Sequence, residues 1–224
     1  MMKSYIHVSD ATKVIQGHTV LSHINLELNK GQIYGFRGSN GSGKTMLFRA
    51  ISGLISLTEG EIIVNDKQIG KDISFPENMG LLIEHPGFIP EYTGFKNLEL
   101  LSLIQGKISK EQIKDALSKV GLDPNDKRKY KKYSLGMRQR LGIAQAIMEE
   151  PELIILDEPT NGLDEDGVKL INDLLLNLKA RGKTLLIASH DRESLDNISD
   201  EIYQIANGKI VGHEVIQDEL VQKS

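Results

Sequence analysis

The alternation of apolar and polar residues predicts β-strands near the start of the chain. Residues 24–28 (Ile-Asn-Leu-Glu-Leu) alternate with a period of two, as a half-buried strand does. A turn at 29–31 precedes a second strand-like run at 32–37, and residues 61–64 form another. Helical character in this region is confined to about 46–53. We therefore expect a strand-rich N-terminal lobe with one early helix.

The middle of the chain, about 85–150, has the residue spacing of helices. Ser109-Lys110-Glu111-Gln112 fits a capping box, and Gly121 is well placed to end the helix that it begins. The residues at helical spacing between them are Ile113, Ala116, Leu117 and Val120. A further helix is expected over 134–150, where Pro151 ends it. The basic stretch 126–132 is interpreted as a solvated loop or helix end.

The last part of the chain alternates strands with a helix. Leu153–Asp157 is four apolar residues and then a carboxylate, the pattern of a buried parallel strand, and Thr184–Ser189 is also strand-like. The helix between them has one apolar face, formed by Val168, Ile171, Leu174, Leu175 and Leu178. Asn207-Gly208 between two β-type runs predicts a hairpin. This order predicts a parallel core sheet, an antiparallel lobe and a helical subdomain.

The composition of the 224 residues excludes several kinds of site. The chain has no cysteine, which excludes disulfides, thiolate metal sites and cysteine nucleophiles. It has 27 basic and 31 acidic side chains, and the net charge of −4 disfavours general binding to a nucleic-acid backbone. No apolar run approaches the ~18 residues of a membrane span. We therefore expect a cytoplasmic chain, unless a partner ties it to a membrane.

A glycine-rich segment between a predicted strand and a predicted helix indicates a phosphate site. Its residues are Gly38-Ser39-Asn40-Gly41-Ser42-Gly43-Lys44-Thr45, which match G-x-x-x-x-G-K-[ST]. Glycines let backbone N–H groups converge on a phosphate at the positive end of a helix. Lys44 adds a positive charge near the β- and γ-phosphates, and the Thr45 hydroxyl can ligate Mg²⁺. The alternative is a chance glycine-rich turn, which the flanking strand and helix disfavour.

Three further candidate residues follow predicted strands. Asp157 ends the 153–157 strand, where a carboxylate faces the ligand crevice and can hold Mg²⁺ through water. Glu158 comes next, turned to the other side, and can deprotonate an attacking water; the alternative is a solvated strand end. His190 closes the 184–189 strand, where it can contact the γ-phosphate, although a lone histidine is more often structural.

Together these residues resemble the ATP-binding cassette (ABC) ATPases over about 6–211. Residues 133–140 look like the signature motif of that family, and 153–159 look like its Walker B motif with the catalytic glutamate. Residues 161–164 look like its D-loop, and 189–191 contain the counterpart of its switch histidine. The resemblance implies that the chain binds ATP and Mg²⁺ and that it hydrolyses ATP.

The resemblance also implies a fold. We expect an α/β protein with a P-loop NTPase (RecA-like) core and a mixed sheet, an N-terminal antiparallel β lobe and an inserted α-helical subdomain. One ABC ATPase domain would span 1–224. The core would comprise 1–84 and 151–224, and the helical subdomain about 85–150.

The resemblance further implies two protein partners and no nucleic acid. Two cassettes, identical or paralogous, would pack head to tail. Ser134 and Gly136 of one would then contact the γ-phosphate of ATP bound at Lys44 of the other. Ser134 is a good N-cap, so its helix would point a positive end at that phosphate; the alternative is an ordinary capped amphipathic helix. A transmembrane permease subunit would hold the pair at the inner face of the membrane.

Several positions depart from the family pattern. Leu135 and Met137 replace the glycine and the glutamine of the usual signature, so we expect altered packing there. Met46 stands where many members have a second hydroxyl, and Ile15 stands near the usual adenine-stacking aromatic. Glu84 replaces the loop glutamine that contacts Mg²⁺ and the attacking water, which would bring a further negative charge to the metal. The alternative is that Glu84 is a solvated loop residue.

Residues 84–88 and 133–137 resemble cassettes of bacterial peptide-antibiotic exporters, with those of bacitracin and lantibiotic resistance nearest in likeness. We therefore expect an ATPase subunit that energises such a transporter, with the permease docked near 84–92 and the helical subdomain. The alternative is a non-transport ABC ATPase that acts on ribosomes or DNA, although such proteins usually carry two cassettes or long coiled coils. A kinase or GTPase is disfavoured, because the chain has no Asn-Lys-x-Asp guanine motif.

We predict weak discrimination between ATP and GTP, because no aromatic residue stands near Ile15 to stack on adenine. Apolar contact replaces stacking at a loss of about 1 kcal/mol, which corresponds to less than tenfold in affinity. Competition of ATP and GTP for a fluorescent nucleotide measures both affinities. A strong preference for ATP would contradict the prediction.

Overall fold

The computed structural model describes residues 4–84 and 87–216. A 3-10 turn at Tyr130–Lys132 lies between the third and fourth helices. The strands and α-helices within the described ranges are, in chain order, β1 (Ile6–Ile15), β2 (His18–Leu28), β3 (Ile33–Arg37), α1 (Lys44–Ile51), β4 (Glu59–Val64), β5 (Lys67–Gln68), β6 (Met79–Leu82), α2 (Gly94–Gln105), α3 (Lys110–Lys119), α4 (Leu135–Ile147), β7 (Leu153–Asp157), α5 (Glu165–Ala180), β8 (Thr184–Ser189), α6 (Arg192–Asp196), β9 (Glu201–Ala206) and β10 (Lys209–Val215).

The described residues group into two compact units. The first contains 4–77 and 184–216, and the second contains 78–183. The predicted helical subdomain, about 85–150, falls within the second unit, which also includes β6, β7 and α5. The exact limits of the helical subdomain, near 84 and 150, remain a prediction. Within 4–84 and 87–216, none of the helices combines the length and the hydropathy that a membrane span needs.

The first unit contains the antiparallel lobe that the sequence predicts. Its four strands pair in the order β2-β1-β4-β5, and all the pairs are antiparallel. The β1–β2 ladder has register shifts between Val8 and Ala11 and again near Lys13. Such bulges interrupt a strict two-residue alternation. For this reason the sequence pattern indicates only 24–28, whereas β2 begins at His18.

The first unit also contains α1, α6 and four strands of mixed direction. Strand β3 lies between β8 and β9 and is parallel to both, while β9 and β10 form an antiparallel hairpin. Asn207 and Gly208 connect the hairpin with φ of 49° and 72°, as a type I′ turn requires. The Phe36 ring of β3 packs edge-on against Phe48 of α1 and stacks on Tyr203 of β9. This aromatic contact fixes α1 on the sheet next to the glycine-rich loop.

The second unit combines a pair of parallel strands with helices. Strands β6 and β7 pair in register from Met79↔Leu153 to Leu82↔Leu156. Helix α4 packs so closely on β6 that a methyl group on Gly80 would overlap the carbonyl oxygen of Ala146. The capping box at the start of α3 is confirmed, with Ser109 and Gln112 exchanging hydrogen bonds.

The predicted end of α4 at residue 150 is wrong. The helix ends at Ile147, and Glu150 has a φ of +54°, outside the helical region. Its carboxylate lies 2.6 Å from Arg181 Nη2 and 3.2 Å from Lys119 Nζ, while its carbonyl oxygen accepts a 2.7 Å bond from Lys183 Nζ. These three cationic side chains stabilise Glu150 outside the helix, in contact with the end of α3 and with residues that follow α5.

We predict that Glu150→Gln lowers the free energy of unfolding by about 1 kcal/mol at neutral pH, a value limited by partial solvent screening of the pair. Burial raises the pKa of the Glu150 carboxyl, but bonds from Arg181 and Lys119 lower it by more, so the net shift is downward. The ionised group therefore stabilises the fold above the unfolded pKa of about 4.5 and loses this effect as the pH falls through the lower folded value.

Chemical denaturation at neutral and at acidic pH measures this difference. Glu149→Gln is the matched control, since it removes the same charge one residue away and the described residues show no ion pair for Glu149. A difference between Glu150→Gln and the parent that persists unchanged at acidic pH would refute the electrostatic origin.

Candidate active site

The glycine-rich loop Gly38–Thr45 lies between β3 and α1, as the sequence predicts. Lys44 is 5% exposed, and its Nζ donates hydrogen bonds to the carbonyl oxygens of Gly38 at 2.6 Å and Ser39 at 3.3 Å. The loop is thus wrapped around the lysine ammonium. Gly43 caps α1 with a φ of +114°, a conformation that favours glycine.

The groups around this loop fit a phosphate. Ser42 is 5% exposed, and the structure gives its buried hydroxyl no hydrogen-bond partner among the described residues. No described side chain caps the start of α1, so the N–H groups of its first turn can serve an anion. A hydroxyl, N–H groups and an ammonium therefore converge on one loop, which a chain of phosphate oxygens would match.

The register of the sheet places His190 near the start of this loop. Arg37 at the end of β3 is the partner of Ser189 at the end of β8, so Gly38 and His190 leave two neighbouring parallel strands at the same level. The Asp191 N–H bonds to Ser189 Oγ at 3.0 Å, which closes a tight turn around the exposed histidine. The first unit therefore brings together the loop and the predicted switch histidine.

The register of a second pair of parallel strands brings three predicted carboxylates to one sheet edge of the second unit. Leu82 at the end of β6 pairs with Leu156 of β7, so Glu84, Asp157 and Glu158 all follow the same level of the strand pair. Asp157 is buried, Glu158 is half-buried with a φ of 51°, and Glu84 is exposed with a φ of 58°. No cluster of three or more histidines and carboxylates suited to a metal occurs in 4–84 and 87–216.

The predicted signature segment begins α4. Ser134 is its N-cap, and Ser134 Oγ accepts a 3.2 Å bond from the Met137 N–H. The prediction that Ser134 caps this helix is therefore confirmed. Further along the chain, Asp164 caps α5 by accepting a 3.0 Å bond from the Gly167 N–H.

Sequence reasoning missed Gln139. This side chain is 6% exposed, and its Nε2 donates a 2.9 Å hydrogen bond to the carbonyl oxygen of Glu158. The sequence does carry a signal for this residue. Gln139 lies four residues before the buried Ile143, on the same face of the helix, where the helical pattern of buried positions predicts an apolar residue.

Ile15 lies at the tip of the β1–β2 hairpin, paired with His18, and is 38% exposed. It belongs to the same unit as the Gly38–Thr45 loop, and its adenine contact remains a prediction.

His85 and Pro86 of the predicted permease-docking segment lie outside the described residues.

A strand, a glycine-rich loop wrapped around a buried lysine, and a helix define the first unit as a P-loop nucleotide-binding fold. A family model described as ABC transporter matches residues 21–161. The chain is 48% identical over 205 residues to YybJ of Bacillus subtilis, which is described as an uncharacterized ABC transporter ATP-binding protein. The aligned residues cover 92% of this chain and 94% of that protein. The chain therefore belongs to the ABC transporter family and is an ATP-binding subunit.

Two further relatives have named cargoes. The bacitracin transport ATP-binding protein BcrA of Enterococcus faecalis is 39% identical, over 94% of this chain and 69% of that protein. The lantibiotic transport ATP-binding protein SrtF of Streptococcus pyogenes is 35% identical, over 92% and 89%. A dimeric ATP-binding cassette solved with ADP and Pi matches with a TM-score of 0.86 and 24% identity, over 95% of this chain and 99% of that chain. That likeness confirms the predicted fold class.

We predict that Gly38→Ala weakens ATP binding by about tenfold or more, equivalent to at least 1.4 kcal/mol. A methyl group on Gly38 would overlap the Ile205 carbonyl oxygen and lie 2.5 Å from Ser42 Oγ, so the cradle must open. Isothermal titration with ATP measures the loss. Gly87→Ala is the matched control, because a methyl group there meets nothing within 4 Å. Equal affinities for the two variants would contradict the steric argument.

Proposed function

We propose that this chain binds ATP and Mg²⁺ at the Gly38–Thr45 loop and hydrolyses ATP as one half of a head-to-tail dimer. The observation that carries the proposal is the cradle around Lys44, where a buried ammonium, the buried Ser42 hydroxyl and the first turn of α1 meet. Each of these groups attracts anions, and phosphate chains are the ligands that such loops bind. Membership of the ABC family supports ATP as the nucleotide.

The residues of the loop and the strand ends have separate roles in this proposal. Lys44 offsets the charge of the β- and γ-phosphates. Thr45, Asp157 and Glu84 are the candidate oxygen ligands of Mg²⁺, which when bound neutralises charge on the phosphates. Glu158 accepts a proton from the attacking water.

The remaining roles concern the γ-phosphate. His190 donates a hydrogen bond to its oxygens and stabilises charge in the transition state. Ser134 and Gly136 at the start of α4 contact the ATP bound to a second cassette, either another copy or a paralogue. Each complete site then needs two chains, so that ATP closes the dimer and hydrolysis opens it.

We further propose that these movements drive export of a peptide antibiotic or a similar compound through a transmembrane permease. The names of the bacitracin and lantibiotic relatives support this cargo class. The permease would dock near 84–92 and the helices of the second unit, which places the chain on the inner face of the membrane. Glu84 lies at the start of this segment and would link the metal site to the permease.

We predict that Glu158→Gln lowers the ATP turnover number by about 10²- to 10⁴-fold, the usual contribution of a general base. The variant should also accumulate ATP-bound dimers, because closure occurs without hydrolysis. Phosphate release and size-exclusion chromatography with ATP measure the two effects. Glu152→Gln is the control, since Glu152 is a half-buried glutamate that immediately precedes β7, at the end of the strand opposite to Glu158. Normal turnover in Glu158→Gln would remove this residue from the role.

We also predict that cells lacking the chain become more sensitive to bacitracin or to a lantibiotic. The wild-type chain should restore resistance, while Lys44→Ala should not. Glu84→Gln should alter the resistance obtained per ATP hydrolysed, because it changes the charge beside the metal and the permease. Minimum inhibitory concentrations and ATPase rates of the same variants give this ratio. If Glu84→Gln leaves both quantities unchanged, Glu84 has no special role.

A further inference from the structure

The first turns of α4 lie against the loop that follows β7. The Gln139 amide donates a 2.9 Å bond to the carbonyl oxygen of Glu158. The same oxygen accepts a 3.2 Å bond from the Asn161 N–H, which closes a turn after the strand. A side chain of the signature helix therefore binds the backbone of the residue that carries the proposed base.

This hydrogen bond is buried, and it supports an unfavourable backbone conformation. Gln139 is 6% exposed, and an amide at that depth is destabilising without a partner. Glu158 has a φ of 51°, in the left-handed region that residues with a side chain rarely adopt. The direction of the Glu158 side chain depends on this conformation, so Gln139 helps to determine where the carboxylate points.

Leu135 makes a second contact between the same two segments. It is 55% exposed, yet its Cδ2 and Cγ would lie 2.5 and 2.7 Å from a methyl group placed on Gly162, so it packs directly on that glycine. Gly136 is also near, since a methyl group there would lie 3.1 Å from the Gly162 carbonyl oxygen. The usual signature has glycine in place of Leu135, so this contact depends on a departure from the family pattern.

We propose that Gln139 and Leu135 join the signature turn to the loop after β7, so that a movement of α4 redirects the Glu158 carboxylate. The inference rests on the proposed function, in which Ser134 and Gly136 contact ATP at one site while Glu158 acts on ATP at the other. Gln139 is a positioning residue, because it acts through Glu158.

Gln139→Leu keeps the bulk of the side chain and removes the donor. We expect the turnover number for ATP to fall about 10- to 100-fold, as small misplacements of a reacting group do. The KM for ATP should change little, because the Lys44 loop is untouched. Gln145→Leu is the matched control, since Gln145 is a half-buried glutamine of the same helix beside Met79 and Met148. It should keep the wild-type turnover number.

Gln139→Glu separates positioning from packing. An ionised carboxylate cannot donate to the Glu158 carbonyl oxygen, whereas a protonated one can. Burial raises the pKa of a carboxyl, so the turnover number of the variant relative to wild type should rise as the pH falls from about 8 to about 6. A ratio that does not change with pH would overturn the role of Gln139 as a hydrogen-bond donor.

Leu135→Gly restores the usual signature residue and removes the second contact. We expect the turnover number for ATP to fall, though by less than in Gln139→Leu, because Leu135 is 55% exposed and its contact with Gly162 is only partly buried. A Leu135→Gly variant with the wild-type turnover number would show that this contact does not help to position Glu158.

The Glu158→Gln variant distinguishes failure of this inference from failure of the proposed function. If Glu158→Gln hydrolyses ATP normally, the proposed function fails. If it is inactive while Gln139→Leu keeps the wild-type turnover number and KM, the proposed function stands and the inference is overturned. Should Gln139→Leu not fold, Gln139→Glu and Leu135→Gly decide the question.

A double variant, Glu158→Gln with Gln139→Leu, tests whether Gln139 acts on the dimer instead. Positioning of Glu158 is irrelevant once its carboxylate is gone, so this variant should form ATP-dependent dimers as readily as Glu158→Gln alone. Size-exclusion chromatography with ATP compares the two. Loss of dimers would assign Gln139 to the dimer contact and refute the positioning role.

Discussion

The parallel pairing of neighbouring strands decides where this chain can place its chemistry. Parallel strands end at the same edge of a sheet, so the residues that follow them are gathered without any further device. In the first unit, β3 and β8 deliver Gly38 and His190 to one level. In the second unit, β6 and β7 deliver Glu84 and Glu158 to one level. Loops that are far apart in sequence acquire a common position in this way.

Close backbone approaches keep these loops in place. Gly80 allows α4 to touch β6, and Gly38 allows the phosphate loop to touch the end of β9. A side chain at either position would meet a carbonyl oxygen. The phosphate loop is further closed by Lys44, whose ammonium binds two carbonyl oxygens of the loop itself. A cationic group is thereby held ready for phosphate before any ligand arrives, which reduces the entropy lost on binding.

The buried polar contacts of the second unit connect elements that the sequence presents separately. Gln139 joins α4 to the loop after β7, and Glu150 joins the end of α4 to α3 and α5. Each contact satisfies a polar group that would otherwise be unfavourable in the interior. Each also holds a residue with positive φ, Glu158 in one case and Glu150 in the other. The local conformations near the proposed base therefore depend on side chains from other elements.

The sequence by itself determined the elements with a regular period and the motifs with a local mechanism. The strands at 153–157 and 184–189, the capping box at Ser109 and the Gly38–Thr45 loop follow from neighbouring residues alone. Only the tertiary structure decided the end of α4, the partner of Gln139 and the packing of Leu135 on Gly162. These features depend on residues 19 or more positions apart, or on backbone angles that local periodicity does not encode.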